Sequence, residues 1–202
     1  MLPEGFVYLD RELPEAFFCA MYAGDDNFMG RPANGYKANR VVLSCEACRG
    51  LKRALGLLRP KALSLFVFDA YRPARAVRDF CAWAGDEGDV KRKHIHYPNL
   101  SKQELLKQGY IASRSGHSRG SAVDLTLCDL SGNALDMGGI FDFMDPRSWH
   151  DCPFISPEQT QNRETLRRTM LRCGFEDYSR EWWHYLLKNE PYPDTYFDFE
   201  IE

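Results

Sequence analysis

The chain has no long hydrophobic run. No window of its 202 residues approaches the ~20 apolar residues that a membrane-spanning helix needs. The opening Met1-Leu-Pro-Glu-Gly-Phe6 lacks the basic residues and apolar stretch of a secretory signal, so the expected location is the cytoplasm. Positive charge is not in excess either. With 26 Lys and Arg against 29 Asp and Glu the net charge is −3, which argues against a broad nucleic-acid surface. The basic run Lys91-Arg-Lys-His94 is short enough to be a solvated loop or helix end.

Regular cysteine spacing is also missing. Seven cysteines, an odd number at irregular intervals, argue against a disulfide framework and suit a reducing compartment. Cys45-Glu-Ala-Cys48 has no second C-x-x-C to close a four-sulfur site. It lies among apolar residues at helical spacing, where two small residues on one helix face account for it. The composition, 44% hydrophobic and 27% charged, fits one globular domain over residues 1–202 with its own core.

Residues 5–9 read as a short strand, and 22–36, rich in Gly, Asn, Asp and Pro, as a long irregular loop. A helix is expected from Asn39 to Leu58, then a central strand over Leu63–Asp69. Pro73 holds Arg72 in extended geometry at the end of that strand, and Ala74–Trp83 reads as a helix. His94 and His96 lie beside basic residues and before Tyr97-Pro98-Asn99, so a surface loop is expected there. Ser101-Lys-Gln-Glu104 and Ser156-Pro-Glu-Gln159 are capping boxes that open helices to about Gln108 and Cys173, the second with solvent-facing arginines.

The chemistry concentrates in two places. Ser113–Gly120 is a polar, small-residue loop that runs into a strand, Ser121–Leu127, with Asp124 inside an apolar alternation. A carboxylate there is costly to bury unless paired or metal-bound; alone, it is as readily a structural Asp. His117 in the loop and His184 in a second strand, Glu181–Leu187, tip the balance. Two imidazoles and one carboxylate are a usual ligand set for catalytic zinc, with a fourth position for water. Glu181 is then left free as a base. Residues three apart on a regular strand face opposite sides, so Glu181 and His184 share a site only with a turn or bulge between them. Asp142 and Asp145 lie in a turn-rich acidic segment that serves ammonium binding or turn capping equally well.

The segments Ser115-Gly-His-Ser-Arg-Gly-Ser-Ala-Val-Asp124, Glu181-Trp-Trp-His-Tyr185, Asp69-Ala-Tyr-Arg-Pro73 and Asp26-Asn-Phe-Met-Gly30 resemble the D-alanyl-D-alanine dipeptidases of the vancomycin-resistance type. The similarity reaches the tail Glu190-Pro-Tyr-Pro-Asp-Thr-Tyr-Phe-Asp198. The resemblance implies a compact α+β domain in which a central antiparallel sheet, flanked by helices, carries the metal site. That fold is shared with D-Ala-D-Ala carboxypeptidases and the hedgehog signalling domain. It implies one zinc per chain on His117, Asp124 and His184, Glu181 as general base and acid, and Arg72 polarising the scissile carbonyl. Ser115, Asp142, Tyr22 and Tyr36 are the implied substrate contacts. Gly116, Trp149 and Asp25 depart from some relatives and bear on pocket shape.

The implied activity is hydrolysis of the free dipeptide, a zwitterion needing an anion for its ammonium and donors for its carboxylate. A carboxypeptidase or a dipeptidase of other specificity is the alternative within the class. A non-catalytic zinc-bearing binding module is the alternative outside it, but such a module needs neither Glu181 nor Arg72. The expected partner is a small dipeptide rather than nucleic acid or membrane, with a homodimer left open.

Overall fold

The computed structural model describes residues 2–202. In chain order it forms β1 (Phe6–Tyr8), α1 (Leu9–Glu12), β2 (Phe17–Phe18), β3 (Val42–Ser44), α2 (Cys45–Leu58), β4 (Leu63–Asp69) and α3 (Ala74–Gly85). There follow α4 (Lys93–His96), α5 (Lys102–Lys107), β5 (Ala122–Asp129), α6 (Pro157–Arg172), β6 (Phe175–Tyr178) and β7 (Glu181–Leu187). Single 3-10 turns lie at Met21–Ala23, Arg59–Lys61, Gly116–Arg119 and Pro146–Ser148.

Five strands form the central sheet in the order β2-β4-β5-β7-β6. All its pairings are antiparallel except the two-residue edge pairing of β2 with β4, which is parallel. A separate ribbon pairs β1 with β3. Helices α2 and α6 pack on each other and on the sheet. In β5 the residues Val123, Leu125 and Leu127 alternate with Asp124 and Thr126, so one face is apolar core and the other carries the carboxylate. No helix among the described residues is long and apolar enough to cross a membrane.

Three expectations are corrected. The helix expected from Asn39 starts only at Cys45, because Val42–Ser44 pairs as strand with Phe6–Tyr8. An apolar run beside β-branched residues fits strand or helix, and the Ser44 side chain, accepting from the Ala47 N–H, sets the true start. His96 is buried rather than on a surface loop, with Nδ1 3.2 Å from the Asp142 carbonyl. Arg163 on α6 does not face solvent; it is buried and donates to the carbonyls of Met137, Trp149 and Arg147. Both capping boxes form as read.

The tail folds back over the N-terminal half. Phe197 and Phe199 pack edge-on against Phe6, and Phe199 stacks on Tyr71 at 4.0 Å. The Phe197 N–H donates to Ser118 and the Ile201 N–H to Gly35, which ties the loop after residue 22 and the turn at 116–119 to one strap.

Candidate active site

Two strand irregularities assemble the site. In β4 the register slips at Phe68, so Val67 faces Leu125 while Asp69 faces Asp124. Across the next pairing Asp124 faces His184. Asp69, Asp124 and His184 thus lie in one row over three neighbouring strands. The second slip lies between β6 and β7: Asp177 faces Tyr185, but Tyr178 faces Glu181. The extra residues bulge out of β7 and bring Glu181 Oε2 to 4.0 Å from His184 Nδ1, which a regular strand would forbid.

His117 comes from the 3-10 turn before β5. The Ser115 Oγ caps this turn by accepting from the His117 N–H, and Gly120 ends it at φ +81°. The ring is fixed by Nδ1 donating to the Ala70 carbonyl at 2.6 Å. That bond settles the neutral tautomer and leaves the Nε2 lone pair aimed inward. Nε2 is 3.1 Å from His184 Nδ1 and 3.2 Å from Asp124 Oδ2, and His184 Nδ1 is 2.9 Å from Asp124 Oδ1. Three donors on a tetrahedral zinc with bonds near 2.0–2.1 Å sit roughly 3.3 Å apart, so the donor set fits such an ion. Among the described residues it is the cluster of metal-ligating side chains, with its donor atoms within 4.8 Å of one another.

Charge is concentrated here. Burial alone would raise Asp124, but the two imidazoles overcome it and hold the carboxyl well below the usual range. Burial pushes His117 down, while for His184 the Asp124 carboxylate outweighs burial and raises it. The Glu181 carboxyl is pushed up to about 7, chiefly by burial, with His184 opposing and Asp124 adding. Arg72 donates through Nε to Asp69 Oδ2 at 2.9 Å and through Nη2 to Asp124 Oδ2 at 3.4 Å, with its guanidinium over the Tyr22 ring.

These groups open into a cavity of about 360 Å³. Arg72, His117, Asp124, Glu181 and His184 line it, as do the implied substrate contacts Ser115, Asp142 and Tyr22. Phe80, Tyr110, Tyr178 and Trp183 complete much of the wall.

The whole of residues 3–202 matches the family model described as D-ala-D-ala dipeptidase. The chain belongs to that family. It is 46% identical to a D-alanyl-D-alanine dipeptidase of Enterococcus faecium over 98% of both chains. The protein of the same name from Streptomyces coelicolor is also 46% identical, covering 97% of this chain and 98% of that one. The Enterococcus faecalis protein so named is 43% identical over 99% and 100%.

In this member of the D-Ala-D-Ala dipeptidase family the two acids left open at the turn part company. Asp145 caps the turn at Pro146–Ser148, accepting from the Arg147 N–H. Asp142 reaches the cavity, accepts from the Tyr22 hydroxyl at 2.6 Å and is raised well above the ordinary carboxyl range, chiefly by burial. Its backbone adopts φ +56°, a conformation few non-glycine residues hold. Tyr36 differs from the other implied contacts. Its ring is not among the cavity walls, and its hydroxyl donates to Asp69 Oδ1 at 2.7 Å. Asp69 itself went unassigned in the sequence; a carboxylate closing a strand three residues before an arginine was the signal.

Proposed function

We propose that this chain is a zinc-dependent dipeptidase that hydrolyses free D-Ala-D-Ala to two D-alanines, acting as one domain over residues 1–202 in the cytoplasm. His117, Asp124 and His184 are the proposed ligands for one zinc ion per chain. The carrying observation is the triad of donor atoms within 4.8 Å of one another, lining the cavity with the uncommitted Glu181 carboxylate beside it. Zinc in that position supplies a Lewis acid and a water acidified to near neutrality.

The protein groups account for the rest. Glu181 takes one proton from the attacking water as its oxygen bonds to the carbonyl carbon. It then passes that proton to the amide nitrogen as the C–N bond breaks. Arg72, fixed and desolvated, faces the carbonyl oxygen as negative charge grows on it. Asp142 is the proposed partner of the substrate ammonium and Ser115 of its carboxylate, with Tyr22 between.

The test is the purified protein, zinc-loaded and chelated, assayed on D-Ala-D-Ala, L-Ala-L-Ala and N-acetyl-D-Ala-D-Ala. Zinc-dependent turnover of the first alone is expected. Cleavage of the acetylated substrate at a similar rate would make it a carboxypeptidase, and zinc binding without turnover of any would make it a binding module.

A further inference from the structure

Building on that reading, we propose that Asp69 is a positioning residue that draws the Arg72 guanidinium away from Asp124. Arg72 can then face the substrate while Asp124 keeps its charge for the metal.

The slip at Phe68 sets Asp69 directly across from Asp124. Two like charges opposite one another on adjacent strands are unfavourable, and burial amplifies this. Both side chains are nearly inaccessible, at 2% and 3% exposure. Arg72 is the cation between them, and its contacts are unequal. Asp69 Oδ2 accepts from Nε at 2.9 Å and has Nη2 at the same distance as an ion pair, whereas Asp124 Oδ2 has only Nη2, at 3.4 Å. The Nε hydrogen bond and the close Nη2 contact together anchor that edge of the guanidinium at Asp69. Tyr36 holds Asp69 in turn through Oδ1, so each carboxylate oxygen has one task.

Asp69 is not among the cavity-lining residues, and its Oδ2 lies 3.8 Å from His117 Nδ1. It acts through Arg72. With its charge removed, the only carboxylate left within 4.0 Å of Arg72, among the described residues, is Asp124. The guanidinium would close on it and compete with the metal for that carboxylate. The oxyanion partner and the metal ligand would then fail together.

A double-mutant cycle on the holoprotein tests this, with kcat and KM for D-Ala-D-Ala as one readout and the zinc dissociation constant from chelator competition as the other. Asp69→Asn is expected to lower kcat by about 10- to 100-fold with KM changed less than about threefold, and to weaken zinc about tenfold. In an Arg72→Gln background the same substitution should change neither quantity by more than about twofold, since the arginine that carries its effect is gone. Equal losses in both backgrounds, as from a merely structural carboxylate, would overturn the proposal. Should Asp69→Asn fail to fold, Tyr36→Phe enters the same cycle, with a smaller loss expected that again depends on Arg72. Wild-type protein that binds zinc without hydrolysing the dipeptide would defeat the dipeptidase reading and leave the zinc readout to decide Asp69. Protein that binds no zinc defeats both.

Discussion

Arg72 is held by four neighbours of different kinds: two carboxylates and two aromatic faces, Tyr22 and Phe80. Such a cation cannot move to follow its substrate; in the proposed role beside the carbonyl oxygen it would need no reorganisation as charge appears there. Arg72→Ala should therefore lower kcat by about 100- to 1000-fold, comparable to losing one oxyanion donor elsewhere, with zinc still bound; steady-state kinetics beside metal analysis checks this. Asp142 is argued differently. Buried with one tyrosine donor, it gains most from a cation brought in by the ligand. Asp142→Ala should raise KM for the free dipeptide at least about tenfold, one lost charge-assisted bond, and an unchanged KM would remove it from the ammonium subsite.

The elements matter through their irregularities. Regular β4 and β7 would place Asp69 and Glu181 on the other side, and both bulges lie where a carboxylate of the candidate site is re-aimed. The turn carrying His117 has a similar dependence. Gly120 ends it at φ +81°, and a Cβ there would be driven into the Phe6 ring of β1. Gly120→Ala should cost on the order of 1–3 kcal/mol from overpacking, before any penalty for the left-handed backbone. That amounts to a fall of several degrees in Tm for a chain of this size, measurable by calorimetry. A metal affinity that weakens with it would show that the turn holds His117 as well as the fold. The two capping boxes and the strand at 63–69 were legible because each is a local pattern. The slip in β4 was not, since a register is set by which strand lies opposite; the irregularity in β7 was legible only as a condition for Glu181 and His184 to share a site.

For the whole molecule, pH dependence of stability has an identifiable source away from the metal cluster. His150 is half-buried beside Tyr185, with Asp177 Oδ2 3.9 Å away and Arg163 and Arg167 nearby, and desolvation pushes its pKa from 6.5 down to about 4. The folded chain thus resists a proton that the unfolded chain accepts below about 6.5. Stability from this group is complete above that pH and is lost progressively as pH falls toward 4. The full loss is on the order of 3 kcal/mol. Thermal melts from pH 7 to 5 should fall less steeply for His150→Gln than for the wild type, and identical slopes would contradict the assignment.

Sequence alone named the candidate side chains, because ligand type is a property of side chains, and His117, Asp124, His184, Glu181 and Arg72 all line one cavity. It also indicated an α+β chain with its main strands and helices, since hydrophobic period and caps are local. Tertiary structure decided what depends on distant partners. It set the start of α2 through pairing with β1, buried His96 and Arg163 against carbonyls contributed by other segments, and separated Asp142 from Asp145. It also turned Tyr36 from the cavity toward Asp69. Each outcome rests on satisfying a buried polar group, and the atom that satisfies it is supplied from far along the chain.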